Sequence, residues 1–180
     1  MKNKLRVGLI GSSEHPFEQI PQYVKDIAYR FGYLVAKEGF LLFTGGRNGV
    51  MEACCRGNFD GNGINIGILP SNSVEEANPY VTIPITTGLG IDFRSILLIH
   101  TVDVVVMIGG KIGTLLELVS SYQNRKPTII IEGTGDFADS IEKILIDKKY
   151  FDSRRNVELH FVKTAEEAIQ KIKELTQNGS

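Results

Sequence analysis

The sequence predicts an α/β protein: a doubly wound parallel sheet with helices on both faces, built from residues 1–180 as a single domain. Three observations carry this. Short apolar runs alternate with longer segments whose apolar residues recur at helical spacing. Several runs, Asp103–Ile108 above all, are apolar on both faces, as strands covered from two sides require. Glycines cluster directly after the runs, where strand hands over to helix.

Each element has its own signal. Leu5–Ile10 reads as the first strand and runs into Gly11-Ser12-Ser13. Ile20–Glu38 reads as a helix with Val24, Ile27, Ala28, Phe31, Leu34 and Val35 on one stripe and Gly39 as its stop. Phe40–Thr44 is a second strand, Val50–Arg56 a short helix and Ile64–Leu69 a third strand closed by Pro70. Ser71–Pro79 is a polar loop. Tyr80–Thr87 looks extended, and Pro84 argues for an edge or irregular segment. Ile91–His100 and Thr114–Asn124 are helices on either side of Asp103–Ile108; Pro127–Ile131 is another buried strand. Phe137–Ile146 and Thr164–Leu175 are the last helices, with His160 near a late strand or loop and Gln177–Ser180 as a frayed end. The alternation is that of a Rossmann-like fold.

The chain's 180 residues suit one core. Its formal charge of −1, from 20 Lys+Arg against 21 Asp+Glu, lacks the basic excess of nucleic-acid or membrane-surface binders, so neither partner is expected. Met1-Lys2-Asn3-Lys4 leads straight into the first strand without a signal-peptide pattern, and the apolar runs are too short to span a bilayer, so a cytoplasmic location is expected. Cys54 and Cys55 read as buried thiols in a reducing compartment. His15, His100 and His160 have no metal-ligand spacing, and no metal is expected.

Two segments share a layout: Thr44-Gly45-Gly46-Arg47-Asn48-Gly49 before Val50-Met51-Glu52, and Ile108-Gly109-Gly110-Lys111-Ile112-Gly113 before Thr114-Leu115-Leu116-Glu117. Each is strand, Gly-Gly, a basic residue, a spacer, Gly, then helix with a Glu. Glycines allow close backbone approach, and the first helical N–H groups lack intrahelical acceptors, so such loops suit a phosphate. The candidate ligand-holding residues are Gly11, Ser12, Gly45, Gly46, Gly49, Gly109, Gly110, Lys111, Gly113 and Thr114. Thr114 can cap its helix or donate to a phosphate oxygen. Neither loop has Walker A spacing or a clean G-x-G-x-x-G. Glu117 lies one turn into its helix, close to the proposed phosphate loop, where the dipole favours a carboxylate; Arg94, early in another helix, can clamp a phosphate or hold Glu117 in place.

Residues 40–120 resemble the lysine-decarboxylase-like family, better described as the LONELY GUY-type phosphoribohydrolases and their relatives, which include molybdenum cofactor carrier proteins. The hydrolases show P-G-G-x-G-T-x-x-E. Here Gly113-Thr114-Leu115-Leu116-Glu117 keeps G-T-x-x-E, with Ile108 for the proline and one extra residue between the glycines. Gly45-Gly46-Arg47-Asn48-Gly49-Val50-Met51 is similar to the family's G-G-x-x-G-x-M, and Arg94 falls where the family carries its catalytic arginine, with Ser95 for the usual lysine.

The resemblance implies two readings. In one, a nucleoside 5′-monophosphate loses its base by N-glycosidic cleavage, with no cofactor required. Glu117 then stabilises oxocarbenium charge or orients water, and Arg94 positions Glu117 and the phosphate. In the other, the crevice holds a phosphorylated ligand, molybdenum cofactor or a nucleotide, without turnover. The departures at Lys111, Ile112 and Ser95 favour the second; the retained Arg94 and Glu117 favour the first. The resemblance also implies a homodimer or higher homo-oligomer.

Overall fold

The computed structural model describes residues 4–177. Seven strands form one sheet: β1 (Arg6–Gly11), β2 (Leu41–Thr44), β3 (Ile64–Leu69), β4 (Ile83–Thr86), β5 (Val104–Ile108), β6 (Thr128–Ile131) and β7 (Leu159–Val162). Five helices connect or flank them: α1 (Gln22–Lys37), α2 (Val50–Asp60), α3 (Gly90–Thr101), α4 (Ile112–Gln123) and α5 (Ala165–Gln177). The strand order is β4-β3-β2-β1-β5-β6-β7, and every pairing is parallel. The doubly wound α/β expectation therefore holds. The order reverses between β1 and β5, which pair from Val7↔Val104 to Gly11↔Ile108.

Alternation along the central strands supplies both faces. Val7 and Leu9 of β1 and Val104, Val106 and Ile108 of β5 pack with α1, α2 and α5. Ile10, Val105 and Met107 pack on the opposite side with Leu98 and Ile99 of α3 and Leu118 and Tyr122 of α4. Every residue of β5 is buried, which explains its unbroken apolar run. β4, carrying Pro84, is an exposed edge as expected.

Several elements differ from the sequence reading. α2 continues past Arg56 to Asp60 with Gly57 inside it, where only glycine lets α1 pack this closely: a Cβ there would lie 1.9 Å from the Tyr29 carbonyl oxygen. Phe137–Ile146 is not an α-helix but two 3₁₀ turns, Asp136–Asp139 and Ile141–Ile144. The Asp139 carboxylate accepts the N–H groups of Gly133 (2.6 Å) and Gly135 (2.9 Å), and Ser140 Oγ donates to the Asp136 carbonyl (2.9 Å). These local bonds compete with a helical ladder. The late strand or loop expected around His160 is a strand: Leu159–Val162, the seventh. α4 begins at Ile112 rather than Thr114. Of the expected frayed end, Gln177 closes α5 and residues 178–180 lie outside the described residues.

Among the described residues no helix is long and apolar enough to cross a membrane. Both cysteines are free and buried, and burial pushes both thiols upward in pKa.

Candidate functional site

The carboxyl ends of β1, β2 and β5 meet at the point where strand order reverses, the position at which open α/β sheets bind ligands. A cleft of about 150 Å³ opens there, lined by Gly11, Ser12, Gly45, Arg47, Arg94, Ser95, Lys111, Gly113, Thr114 and Glu117 among others. Residues far apart in sequence are thus brought to one wall.

Two glycines make the close approach possible. A Cβ on Gly11 would lie 2.4 Å from the Ile108 carbonyl oxygen, so only glycine lets β1 end this tightly against β5. A Cβ on Gly45 would lie 2.0 Å from Arg94 Nη1.

The remaining candidate glycines divide. Gly113, in the first turn of α4, faces open space: an added Cβ meets nothing within 4 Å. Ile112, Gly113 and Thr114 have no i−4 carbonyl within the helix, and no side chain caps this end. Their N–H groups and the helix dipole make the anion-attracting part of the cleft. The cap position is Lys111, so Thr114 does not cap the helix; it lies in the first turn and faces the cleft.

Gly109 and Gly110 are differently engaged. The Gly109 N–H donates to Thr134 Oγ1 (2.8 Å) and the Gly110 N–H to Ser12 Oγ (2.7 Å). Their amides are therefore spent on holding the loop. Ser12 Oγ donates onward to Asp136 Oδ2 (3.0 Å), and the Phe137 N–H donates to the Gly110 carbonyl (3.0 Å). Gly46 is likewise structural: its N–H donates to Thr44 Oγ1 (2.9 Å), and its carbonyl accepts from Asn78 Nδ2 (3.1 Å) and the Asn78 N–H (2.8 Å). Gly49 precedes α2 and packs against the Ser12 carbonyl, outside the cleft.

Arg94 is the buried cation, only 4% exposed, and its Nε has no hydrogen-bond partner. Burial lowers its pKa; Glu117 raises it, Arg47 lowers it and Glu76 raises it. Glu117 is 8% exposed and its carboxyl is raised to about 7. Burial is the main cause, opposed by hydrogen bonding from the Ser95 hydroxyl and by the Arg94 charge. No ion pair joins Arg94 to Glu117 among the described residues, so Arg94 acts on the carboxyl through its charge rather than by gripping it. Lys111 is paired with Glu18 at the rim.

The cleft can therefore do two things: receive an anion against a buried guanidinium and a helix N-terminus, and hold one proton near neutral pH. Sequence reading missed Thr134, Asp136 and Asn78. The first two follow β6 in Gly133-Thr134-Gly135-Asp136, another glycine-rich strand end, but one without the Gly-Gly doublet of the other two loops. Asn78 acts from within a polar loop with no recognisable pattern.

Similar solved structures agree with this architecture. The X-ray structure of TM1055, a Northeast Structural Genomics Consortium target, is 41% identical with a TM-score of 0.89, covering 94% of this chain and 99% of that one. The molybdenum cofactor binding protein from the phototrophic bacterium Rippkaea orientalis is 32% identical (TM-score 0.81; 98% and 99% covered). The molybdenum cofactor carrier protein from Chlamydomonas reinhardtii is 26% identical (TM-score 0.82; 97% and 99% covered). The model of the SLOG cluster4 family matches residues 4–169. The chain belongs to the SLOG cluster4 family.

Proposed function

We propose that the protein binds molybdenum cofactor, or a similarly phosphorylated ligand, as cargo in the cleft at the β1/β5 switch point. The observation that carries this reading is the buried Arg94 Nε without a partner, beside the uncapped first turn of α4. A buried guanidinium nitrogen left without an acceptor costs free energy that an anionic group offsets. Gly113 leaves room for that group, and Arg47 adds charge at the edge of the cleft. The donor set suits the anionic end of the cofactor, and two solved proteins named for molybdenum cofactor are 32% and 26% identical to this chain.

The test is direct loading. Purified protein is mixed anaerobically with molybdenum cofactor released from a molybdoenzyme, passed through gel filtration and assayed for molybdenum and pterin fluorescence. Co-elution with the wild type and its loss in Arg94→Ala is the expected result. Molybdenum eluting apart from the wild-type protein would overturn the reading.

A second reading rests on Glu117. A buried carboxyl with a pKa of about 7 is poised for proton transfer at neutral pH, as N-glycosidic cleavage of a nucleoside 5′-monophosphate requires. It is also the reading that the LONELY GUY resemblance brings. Adenine and ribose 5-phosphate released from AMP by the wild type, and not by Glu117→Ala, would support it over simple carriage.

A further inference from the structure

We propose that a second chamber, continuous with the anion cleft beyond Lys111, takes a planar heterocycle presenting adjacent N–H donors, the class of guanine and the pterins, with Asp136 as its specificity-determining carboxylate. This rests on the reading of the first cleft as an anion site.

The chamber is about 240 Å³ and lies between the segment after β1 and the segment after β6. It shares Ser12, Ser13 and Lys111 with the anion cleft. At 150 Å³ and 240 Å³, each space falls below the roughly 300–1,000 Å³ of small-molecule sites, whereas the joined space reaches that range. A ligand filling both would place its anionic end at Arg94 and the first turn of α4, pass Lys111 and put its ring in the second chamber.

The lining sets the chemistry of the ring. Ile20, Pro21 and Val24 give an apolar wall, and Tyr23, 54% exposed, offers an aromatic face for stacking. Asp136 is the carboxylate on the opposite segment. Its Oδ2 is engaged by Ser12, while Oδ1 has no protein donor among the described residues. Its backbone is held at φ 52°, an uncommon conformation for a residue with a side chain, fixed by the Gly133–Asp139 turn and the Ser140 hydroxyl. An ionised carboxylate only accepts hydrogen bonds. A guanine-type edge offers a ring N–H beside an exocyclic amine, and one carboxylate accepts from both; adenine offers a ring acceptor at the corresponding place, which a carboxylate repels.

Equilibrium dialysis against ribose 5-phosphate, AMP and GMP, with intact ligand quantified by chromatography, tests this. Ribose 5-phosphate probes the anion site alone. GMP is expected to bind at least about tenfold more tightly than AMP or ribose 5-phosphate. Asp136→Asn, which keeps an acceptor for Ser12, should abolish the GMP preference while leaving ribose 5-phosphate affinity unchanged. Tyr23→Ala should weaken GMP without affecting ribose 5-phosphate. Equal binding of GMP and ribose 5-phosphate, or a GMP preference that survives Asp136→Asn, would overturn the second chamber and leave the anion site standing. Ribose 5-phosphate that fails to bind, or binds Arg94→Ala as well as wild type, would instead overturn the anion site and the chamber with it.

Discussion

Gly45 and Arg94 compete for the same space: a Cβ at position 45 would lie 2.0 Å from Arg94 Nη1. The glycine at the end of β2 is thus the seat of a guanidinium carried by α3. Gly45→Ala should push that guanidinium out of place and lower ligand affinity at least about tenfold, the scale of a lost charge-assisted hydrogen bond. The displaced atoms are the far end of a side chain, so the fold should survive. Calorimetric titration of the phosphorylated ligand alongside a thermal melt checks both halves. Unchanged affinity would show that Arg94 does not hold the anion.

Glu117 makes the free protein sensitive to pH. Its folded pKa of about 7 lies above the ordinary 4.5, so the folded state holds the proton more tightly. The stabilisation is complete below the ordinary value and is lost as pH rises through about 7, by up to about 3 kcal/mol in total. Urea unfolding from pH 4.5 to 8 should show wild-type stability falling relative to Glu117→Gln. Parallel curves for the two proteins would rule out this titration.

Ser12 joins three strand ends, accepting from Gly110 and donating to Asp136. Ser12→Ala leaves the buried Gly110 N–H without its partner. The expected cost is about 1–3 kcal/mol, read from chemical denaturation. A difference near zero would mean that the loop after β5 needs no tether.

Among the described residues, the outer face of α3 and α4 is exposed. Leu89, just before α3, with Phe93 and Leu97, and Ile112, Leu116 and Val119 of α4, are all exposed at helical spacing on two helices that pack together. A second copy applying the same apolar surface would cover it by an isologous contact. Light scattering on a sizing column should give a dimer or larger for the wild type and a smaller species for Phe93→Asp. A wild-type monomer at micromolar concentration would contradict this.

Fold and site were legible to different depths. The strands around Val104–Ile108 and the helix Gln22–Lys37 were readable because their periodicity reports burial on two faces or on one. Phe137–Ile146 was misread because Asp139 and Ser140 satisfy the backbone locally, which apolar spacing does not reveal. The helix read as Val50–Arg56 runs on to Asp60, and Gly57 inside it lets α1 pack closely, a contact that periodicity does not report.

The sequence by itself determined the doubly wound sheet, the glycine loops at its strand ends, and Arg94 and Glu117 as the residues to follow. These are local properties of pattern and composition. Only the tertiary structure decided which amides are free: Gly109 and Gly110 spend theirs on Thr134 and Ser12, while the first turn of α4 keeps its own. It alone buried Arg94 and Glu117 in one cleft without pairing them. Hydrogen-bond satisfaction and desolvation depend on neighbours a hundred residues away in the chain, and no local pattern encodes them.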